Sequence, residues 1–68
     1  MIRNYHFDNS SMLKNCSYND DTEELSVTFT NGREYTYKNA DKNYYDRLIN
    51  AKSPGKEFNS FKNELVIK

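Results

Sequence analysis

The segment from Ser53 to Lys56 has the composition of an anion-binding helix start. Backbone N–H groups at a helix N-terminus have no partner within the helix, so they bind phosphate or carboxylate readily. Gly55 carries no side chain to block an anion, and Lys56 adds a positive charge. A P-loop needs a further glycine at fixed spacing, which is missing here. We therefore consider an anion site at Ser53, Gly55 and Lys56, against the ordinary alternative of a serine cap beside a solvated lysine.

Basic and aromatic side chains form a second candidate, a nucleic-acid surface. Aromatic rings that are exposed stack on bases, and each stacked base contributes about 1–3 kcal/mol. The alternatives are solvated charges and rings packed in the core. The basic patch would contain Arg47, Lys52, Lys56 and Lys62, with Tyr44 or Tyr45 at its rim, and the other rings that could contact bases are Tyr35 and Tyr37.

Residues suited to catalysis or metal binding do not occur in a recognisable pattern. His6 is the single histidine and has no nucleophile near it, and Cys16 is the single cysteine. The acidic residues in 20–24 lack the spacing and the glycine of an EF-hand loop. We therefore predict a protein that is not an enzyme and has no metal site and no small-molecule cofactor.

Size and charge narrow the possible partners. A chain of 68 residues is one domain and buries only about 60% of its unfolded surface. Its formal net charge is zero, which argues against avid nonspecific binding to RNA or DNA, because such binding depends on excess positive charge. No apolar run approaches the roughly 18 residues of a membrane span, and residues 1–8 do not resemble a signal peptide. We expect a cytoplasmic protein with no membrane partner.

The elements that would position these residues begin with a hairpin. Residues 24–30 alternate apolar and polar side chains, and residues 33–38 are the partner strand after Asn31-Gly32. A two-residue type I′ turn would place Tyr35 opposite Thr28, on the Ser/Thr face. A three-residue loop with Gly32 in a left-handed conformation would instead place Tyr35 opposite Val27. We favour the three-residue loop, because it gathers the apolar residues on one face.

Other elements follow from turn and helix signals. Residues 13–18 read as a first strand, with a bulge expected between Leu13 and Cys16. Asp41 is expected to cap a helix that runs to about Ala51, and Ser53 to cap a second helix with Pro54 at its first position. Val66 and Ile67 either extend the second helix or form a short strand. The fold class is α+β, a three-stranded antiparallel sheet followed by two short helices packed on one face, with residues 1–9 an N-terminal arm and 10–68 a single domain.

These segments together resemble the KTSC domain. This small module is named for its place at the C-terminus of some lysyl-tRNA synthetases and also occurs alone in bacteria and phages. The resemblance covers about residues 10–62. It rests on Ser10-Ser11 with Leu13, Cys16 and Tyr18, on the strand pair that ends in Asn31-Gly32, on Tyr35-Thr36-Tyr37, and on the Ala-Lys-Ser-Pro-Gly-Lys-Glu-Phe-Asn stretch at 51–59.

The chain departs from the family pattern at three places. Asn39-Ala40 stands where the family often has Val-Pro, Cys16 where an aliphatic residue is usual, and Asn19 where aspartate is common. The resemblance implies a non-catalytic domain, and its association with a tRNA enzyme implies RNA or ribonucleoprotein binding. The neutral charge and small size favour the alternative, a protein–protein interaction module such as a phage-encoded modulator or inhibitor of a host factor. Neither the partner nor the oligomeric state follows from the sequence.

Overall fold

The computed structural model describes residues 1–8 and 10–68 of the chain. One antiparallel sheet in the strand order β1-β2-β3-β4-β5 is covered by two helices. The elements are β1 (Ile2–His6), β2 (Leu13–Asn19), β3 (Glu24–Phe29), β4 (Glu34–Lys38), α1 (Lys42–Asn50), α2 (Pro54–Phe61), a 3-10 turn (Lys62–Glu64) and β5 (Val66–Ile67).

The β3–β4 hairpin has the register of the three-residue loop. Val27 lies opposite Tyr35, and Leu25 lies opposite Tyr37. The Phe29 N–H donates to the Arg33 carbonyl at 2.8 Å, and Gly32 has φ +91°. A positive φ is easy for glycine because it has no Cβ. The favoured prediction is therefore confirmed, and both tyrosines lie on the side of the sheet that carries Leu25 and Val27.

The sheet has five strands, so the prediction of three is wrong. β1 lies in the expected N-terminal arm, where it pairs with β2 from Ile2↔Asn19 to His6↔Asn15. All five β1 side chains are exposed, so this edge strand has no alternating burial pattern to find in the sequence. β5 pairs with β4 on the other side, which settles the open alternative at Val66 and Ile67 in favour of a strand.

The predicted bulge in β2 is confirmed. The pairing with β3 shifts between Leu13 and Asn15, which leaves Lys14 as the extra residue. The Lys14 carbonyl accepts a hydrogen bond from the Phe7 N–H at 3.0 Å. The irregularity in β2 is therefore where the chain leaving β1 is attached, and Phe7 is buried there.

The two helices begin where the sequence predicts them. The Asp41 side chain accepts a hydrogen bond from the Asn43 N–H at 3.0 Å, as expected of an N-cap. Pro54 is the first residue of α2, where its missing N–H costs nothing. Ser53 holds the N-cap position of α2, but its side chain makes no capping hydrogen bond, so that part of the prediction is wrong.

The core lies between the helices and one face of the sheet. Its fully buried side chains include Phe58 and Phe61 of α2, Leu48 of α1 and Leu25 of β3. The Tyr18 hydroxyl donates to the Ala40 carbonyl at 2.7 Å, which ties β2 to the segment before α1. The core is thus built largely of aromatic rings, each of which removes roughly 150–250 Å² from water.

Candidate binding groove

An aromatic groove lies where α2 and the 3-10 turn meet the edge of the sheet at β4 and β5. Its volume is about 480 Å³, within the range of about 300–1,000 Å³ that binding clefts commonly have. Most of its lining is apolar, and its polar lining comes from two phenols, an ammonium and an amide. The residues that line this aromatic groove are Phe29, Tyr35, Tyr37, Phe58, Lys62, Asn63, Leu65 and Ile67.

The rings of the aromatic groove pack against one another at steep angles, edge to face or tilted. Phe29 contacts Tyr35 with ring centroids 5.6 Å apart and an angle of 76° between the ring planes. Phe29 also lies 5.6 Å from Phe58 at 72°, and Tyr37 lies 5.9 Å from Phe58 at 58°. Such pairs contribute about 0.5–1.5 kcal/mol each beyond the area they bury. The wall of the groove is therefore preformed, and its rings are engaged with each other.

Among the described residues, two phenol hydroxyls at this wall have no hydrogen-bond partner. By contrast, the Tyr18 hydroxyl donates to the Ala40 carbonyl, and the Tyr44 hydroxyl donates to the Glu64 carboxylate. Across residues 1–8 and 10–68, the hydroxyls of Tyr35 and Tyr37 make no hydrogen bond to the protein. Burial, and then the neighbouring Tyr35, raises the pKa of Tyr37 above its usual value, so its hydroxyl stays protonated and can donate at neutral pH.

Lys62 supplies the positive charge of the aromatic groove. It follows α2 directly and is exposed. No carboxylate in the described part of the chain lies within ion-pair distance of its ammonium group. The groove therefore combines an apolar wall with one cation and two free hydroxyl donors, which suits a ligand with apolar and anionic parts.

The predicted anion site at the start of α2 lies in a separate recess. Ser53, Gly55 and Lys56 line a space of about 300 Å³ together with Lys52 and the loop before β2. That loop is held by Ser10, whose Oγ accepts hydrogen bonds from the N–H groups of Met12 at 3.2 Å and Leu13 at 2.9 Å.

Gly55 has a structural role in this recess. A Cβ atom at Gly55 would lie 3.0 Å from Met12 Sδ and 3.2 Å from Met12 Cβ. Both distances are shorter than ordinary van der Waals contact, so the absence of a side chain lets α2 approach the loop. Close packing against Met12 therefore accounts for Gly55 without any ligand.

We expect Gly55→Val to lower the free energy of unfolding by about 1–3 kcal/mol, since the added side chain overpacks against Met12. Valine has the higher intrinsic helix propensity, so propensity alone predicts the opposite sign. Urea denaturation followed by circular dichroism measures the change. Lys56→Val at the exposed neighbouring position is the control and should stay within about 0.5 kcal/mol. An unchanged midpoint for Gly55→Val would remove the packing explanation.

The four basic residues proposed as one patch occupy three places. Lys52 and Lys56 line the recess at the start of α2. Lys62 lines the aromatic groove instead, about 9 Å beyond Lys56 along the helix axis and about 120° away around it. Arg47 lines a shallow depression on α1 and donates to the Glu57 carboxylate at 2.6 Å. Its guanidinium also lies 5.0 Å from the centre of the Phe61 ring. The structure thus brings together only Lys52 and Lys56.

The other two predicted aromatic contacts lie on α1. Tyr45 is buried against Tyr18, with ring centroids 6.0 Å apart. Tyr44 is half-buried and packs on Phe61 at 4.9 Å. Tyr44 also donates its hydroxyl to Glu64, and that bond raises its pKa. Neither ring stands at the recess formed by Lys52 and Lys56.

The open face of the sheet, opposite the helices, is polar. Ser17, Ser26 and Thr36 form one row across β2, β3 and β4, and the hydroxyls of Ser26 and Thr36 hydrogen-bond at 2.9 Å. The registers place every Phe and Tyr of the described strands on the helix side. The open face therefore offers no aromatic ring on which a base could stack.

Cys16 is part of the core. Burial raises the pKa of its thiol to about 12, so the reactive thiolate is scarce at neutral pH. Within residues 1–8 and 10–68, His, Cys, Asp and Glu side chains form no group of three or more placed to hold a metal ion. In that same part of the chain, neither helix has the length and apolar character needed to cross a bilayer.

The sequence did not reveal the aromatic groove as a unit. Tyr35, Tyr37 and Lys62 were singled out separately, for base stacking and for a basic patch. Phe29 falls within the predicted hairpin, Leu65 recurs at helical spacing with Phe58 and Phe61, and Ile67 lies where the sequence leaves helix and strand open. The available signal is the apolar run Leu65-Val66-Ile67, because an extended chain there would place Leu65 and Ile67 on the same side.

Comparison with known proteins identifies a family and a fold. The family model described as the KTSC domain matches residues 9–64, which is most of the chain. A crystal structure of a KTSC domain protein from Yersinia pestis superposes with a TM-score of 0.88 and 19% sequence identity, covering 100% of this chain and 96% of that one. None of the curated proteins compared with the chain matches it significantly.

Proposed function

The chain belongs to the KTSC domain family, and on that premise we propose that it is a non-catalytic binding module that holds a short segment of another protein in the aromatic groove. The observation that carries this proposal is one groove that joins an apolar wall to two phenols and Lys62, for which the structure of residues 1–8 and 10–68 shows no hydrogen-bond or ion-pair partner. Interfaces are typically anchored by aromatic residues in this way.

Three features favour a protein over RNA as the partner. The net charge is zero, so the release of counterions from a phosphate backbone would contribute little affinity. The ring pairs described in the groove meet edge to face or tilted, so they do not offer a set of parallel faces for stacked bases. Of the basic residues, Arg47 is already paired with Glu57, and Lys62 lies apart from Lys52 and Lys56.

The proposal of a module without catalytic activity is supported by the chemistry of the groove. Its polar groups are two phenols, an ammonium and the Asn63 amide. A nucleophile activated by a neighbouring base is a usual requirement for covalent catalysis, and the thiol of Cys16 is buried in the core instead. A single cysteine also fits the reducing cytoplasm, where we place the protein.

RNA binding remains a second candidate because of the recess at the start of α2. Lys52 and Lys56 are exposed there, and in the described part of the chain neither has a carboxylate within ion-pair distance. This pair could contact a phosphate. RNA binding of this kind would depend on Lys52 and Lys56 and would weaken steeply with salt.

The charged substitution Ile67→Glu is expected to abolish partner capture, while Val66→Glu leaves it intact. Both residues lie in β5 and are similarly exposed, at 59% and 54%, but they point to opposite faces of the sheet. Only Ile67 lines the aromatic groove. Tagged wild-type and variant proteins are compared by affinity purification from native cells with and without nuclease, and bound proteins are quantified by mass spectrometry.

The same purification tells the two candidates apart. A partner that survives nuclease and is lost in Ile67→Glu alone supports the groove. A partner that is lost on nuclease treatment and in the double variant Lys52→Gln/Lys56→Gln indicates RNA instead. Equal capture by the Ile67→Glu and Val66→Glu variants would reject the groove as the binding surface. Circular dichroism checks that both β5 variants are folded.

A further inference from the structure

We infer that the aromatic groove selects an acidic segment, in which an apolar side chain enters the groove and a neighbouring carboxylate binds Lys62 and the free phenols. This inference rests on the proposed function and adds the chemistry of the ligand. A preference for acidic segments makes the groove specific for one charge class of peptide, whereas an apolar groove alone would accept any hydrophobic segment.

The apolar part of the ligand is indicated by the rim of the groove. Ile67 is 59% exposed although it lies on the same side of the sheet as the buried Tyr37. Leu65 is half-buried beside it and packs against the core. Covering these side chains with an aliphatic or aromatic residue removes their apolar surface from water, at roughly 25 cal/mol per Å².

The acidic part is indicated by the charges around the groove. The glutamates nearest in sequence have other partners, since Glu64 accepts from Tyr44, and Glu57 pairs with Arg47. Glu34 accepts from Thr28 on the open face of the sheet. In the residues that the structure describes, Lys62 is therefore a cation without a matching carboxylate.

The free hydroxyls strengthen the preference for an anion. Tyr35 and Tyr37 are two residues apart on one strand, which separates their Cα atoms by about 7 Å on the same face. Both can donate to an acceptor in the groove, and a carboxylate has about four lone-pair sites to receive such bonds. Hydrogen bonds to a charged partner are roughly twice as strong as neutral ones. A basic peptide would meet like charge at Lys62 and leave these donors unused.

A random peptide library displayed on phage tests the inference with the intact 68-residue protein as bait. Peptides that bind the wild type but not Ile67→Glu are expected to place Asp or Glu next to Leu, Ile or Phe. A synthetic peptide of the enriched sequence should bind about tenfold more weakly to Lys62→Gln, and about tenfold more weakly when its acid is changed to the amide. Lys56→Gln is the matched control and should bind as the wild type does.

The outcomes separate the inference from the proposed function. Groove-dependent peptides without enriched acids, or with an affinity unchanged in Lys62→Gln, overturn the acidic preference and leave the groove as a protein-binding site. A library that yields no peptide sensitive to Ile67→Glu overturns both. A short oligouridylate whose binding is lost in Ile67→Glu would identify RNA as the occupant and overturn the inference as well.

Discussion

Replacing Phe58 with alanine is expected to unfold the domain at room temperature. Phe58 is buried, and its ring lies within 6 Å of the Phe29, Tyr37 and Phe61 rings. Removing a buried phenylalanine costs about 3–5 kcal/mol. A core in a chain of this size supplies only about 3–5 kcal/mol of net stability. Loss of the native far-ultraviolet circular dichroism spectrum and collapse of amide proton dispersion would show the unfolding.

The control for this prediction is the adjacent exposed residue. Asn59 is exposed on α2, so Asn59→Ala keeps the helix and should change the free energy of unfolding by about 0.5 kcal/mol or less. A Phe58→Ala protein with native spectra and a urea midpoint near the wild type would contradict the expected result. The stability would then have to come from the β1–β4 ladders rather than from the contact between α2 and the sheet.

Deleting residues 1–6 from the otherwise wild-type protein is expected to remove most of its free energy of unfolding. β1 pairs with β2 along its whole length, and each ladder hydrogen bond contributes about 0.5–1.5 kcal/mol. The loss of several such bonds, with the loosening of Phe7, should lower the free energy of unfolding by about 2–4 kcal/mol. Urea denaturation of the truncated and full-length proteins measures this difference.

The variant Arg3→Ala distinguishes the effect of β1 backbone pairing from that of the ion pair on β1. Arg3→Ala removes the exposed ion pair with Asp20 but keeps the β1 backbone, so it should cost at most about 1 kcal/mol. Equal stability of the truncated and full-length proteins would mean that residues 1–6 behave as the arm expected from the sequence. A large loss in Arg3→Ala alone would assign the effect of truncation to the ion pair.

The central hairpin and the helix starts could be predicted because their signals are local. Alternation in residues 24–30, the glycine of the turn and the cap at Asp41 each act within a few residues. β1 could not be predicted in this way. It is held by backbone pairing, and its exposed side chains carry no burial pattern. β5 has two residues, too few for a period to be read.

The site could be predicted only in its parts. Whether Tyr35 and Tyr37 face the helices depends on the loop register, and the register could be chosen because one face must be buried. The predicted basic patch is not formed, because Lys62 lies about 9 Å beyond Lys56 along the axis of α2 and about 120° away around it. Glycine is a residue type expected at an anion site, and only the contact with Met12 reveals that Gly55 has a packing role.

The two-residue length of β5 has a consequence for the proposed binding function. Few backbone pairs hold β5 to β4, whereas the longer strands share extensive ladders. Short, exposed segments of this kind open at a small free energy, well below that of global unfolding. We therefore expect β5, the outer wall of the aromatic groove, to open independently of the rest of the sheet, and amide exchange at Ile67 should slow when a ligand occupies the groove. Occupancy would be coupled to the folding of a single short strand, so the affinity includes the cost of closing it.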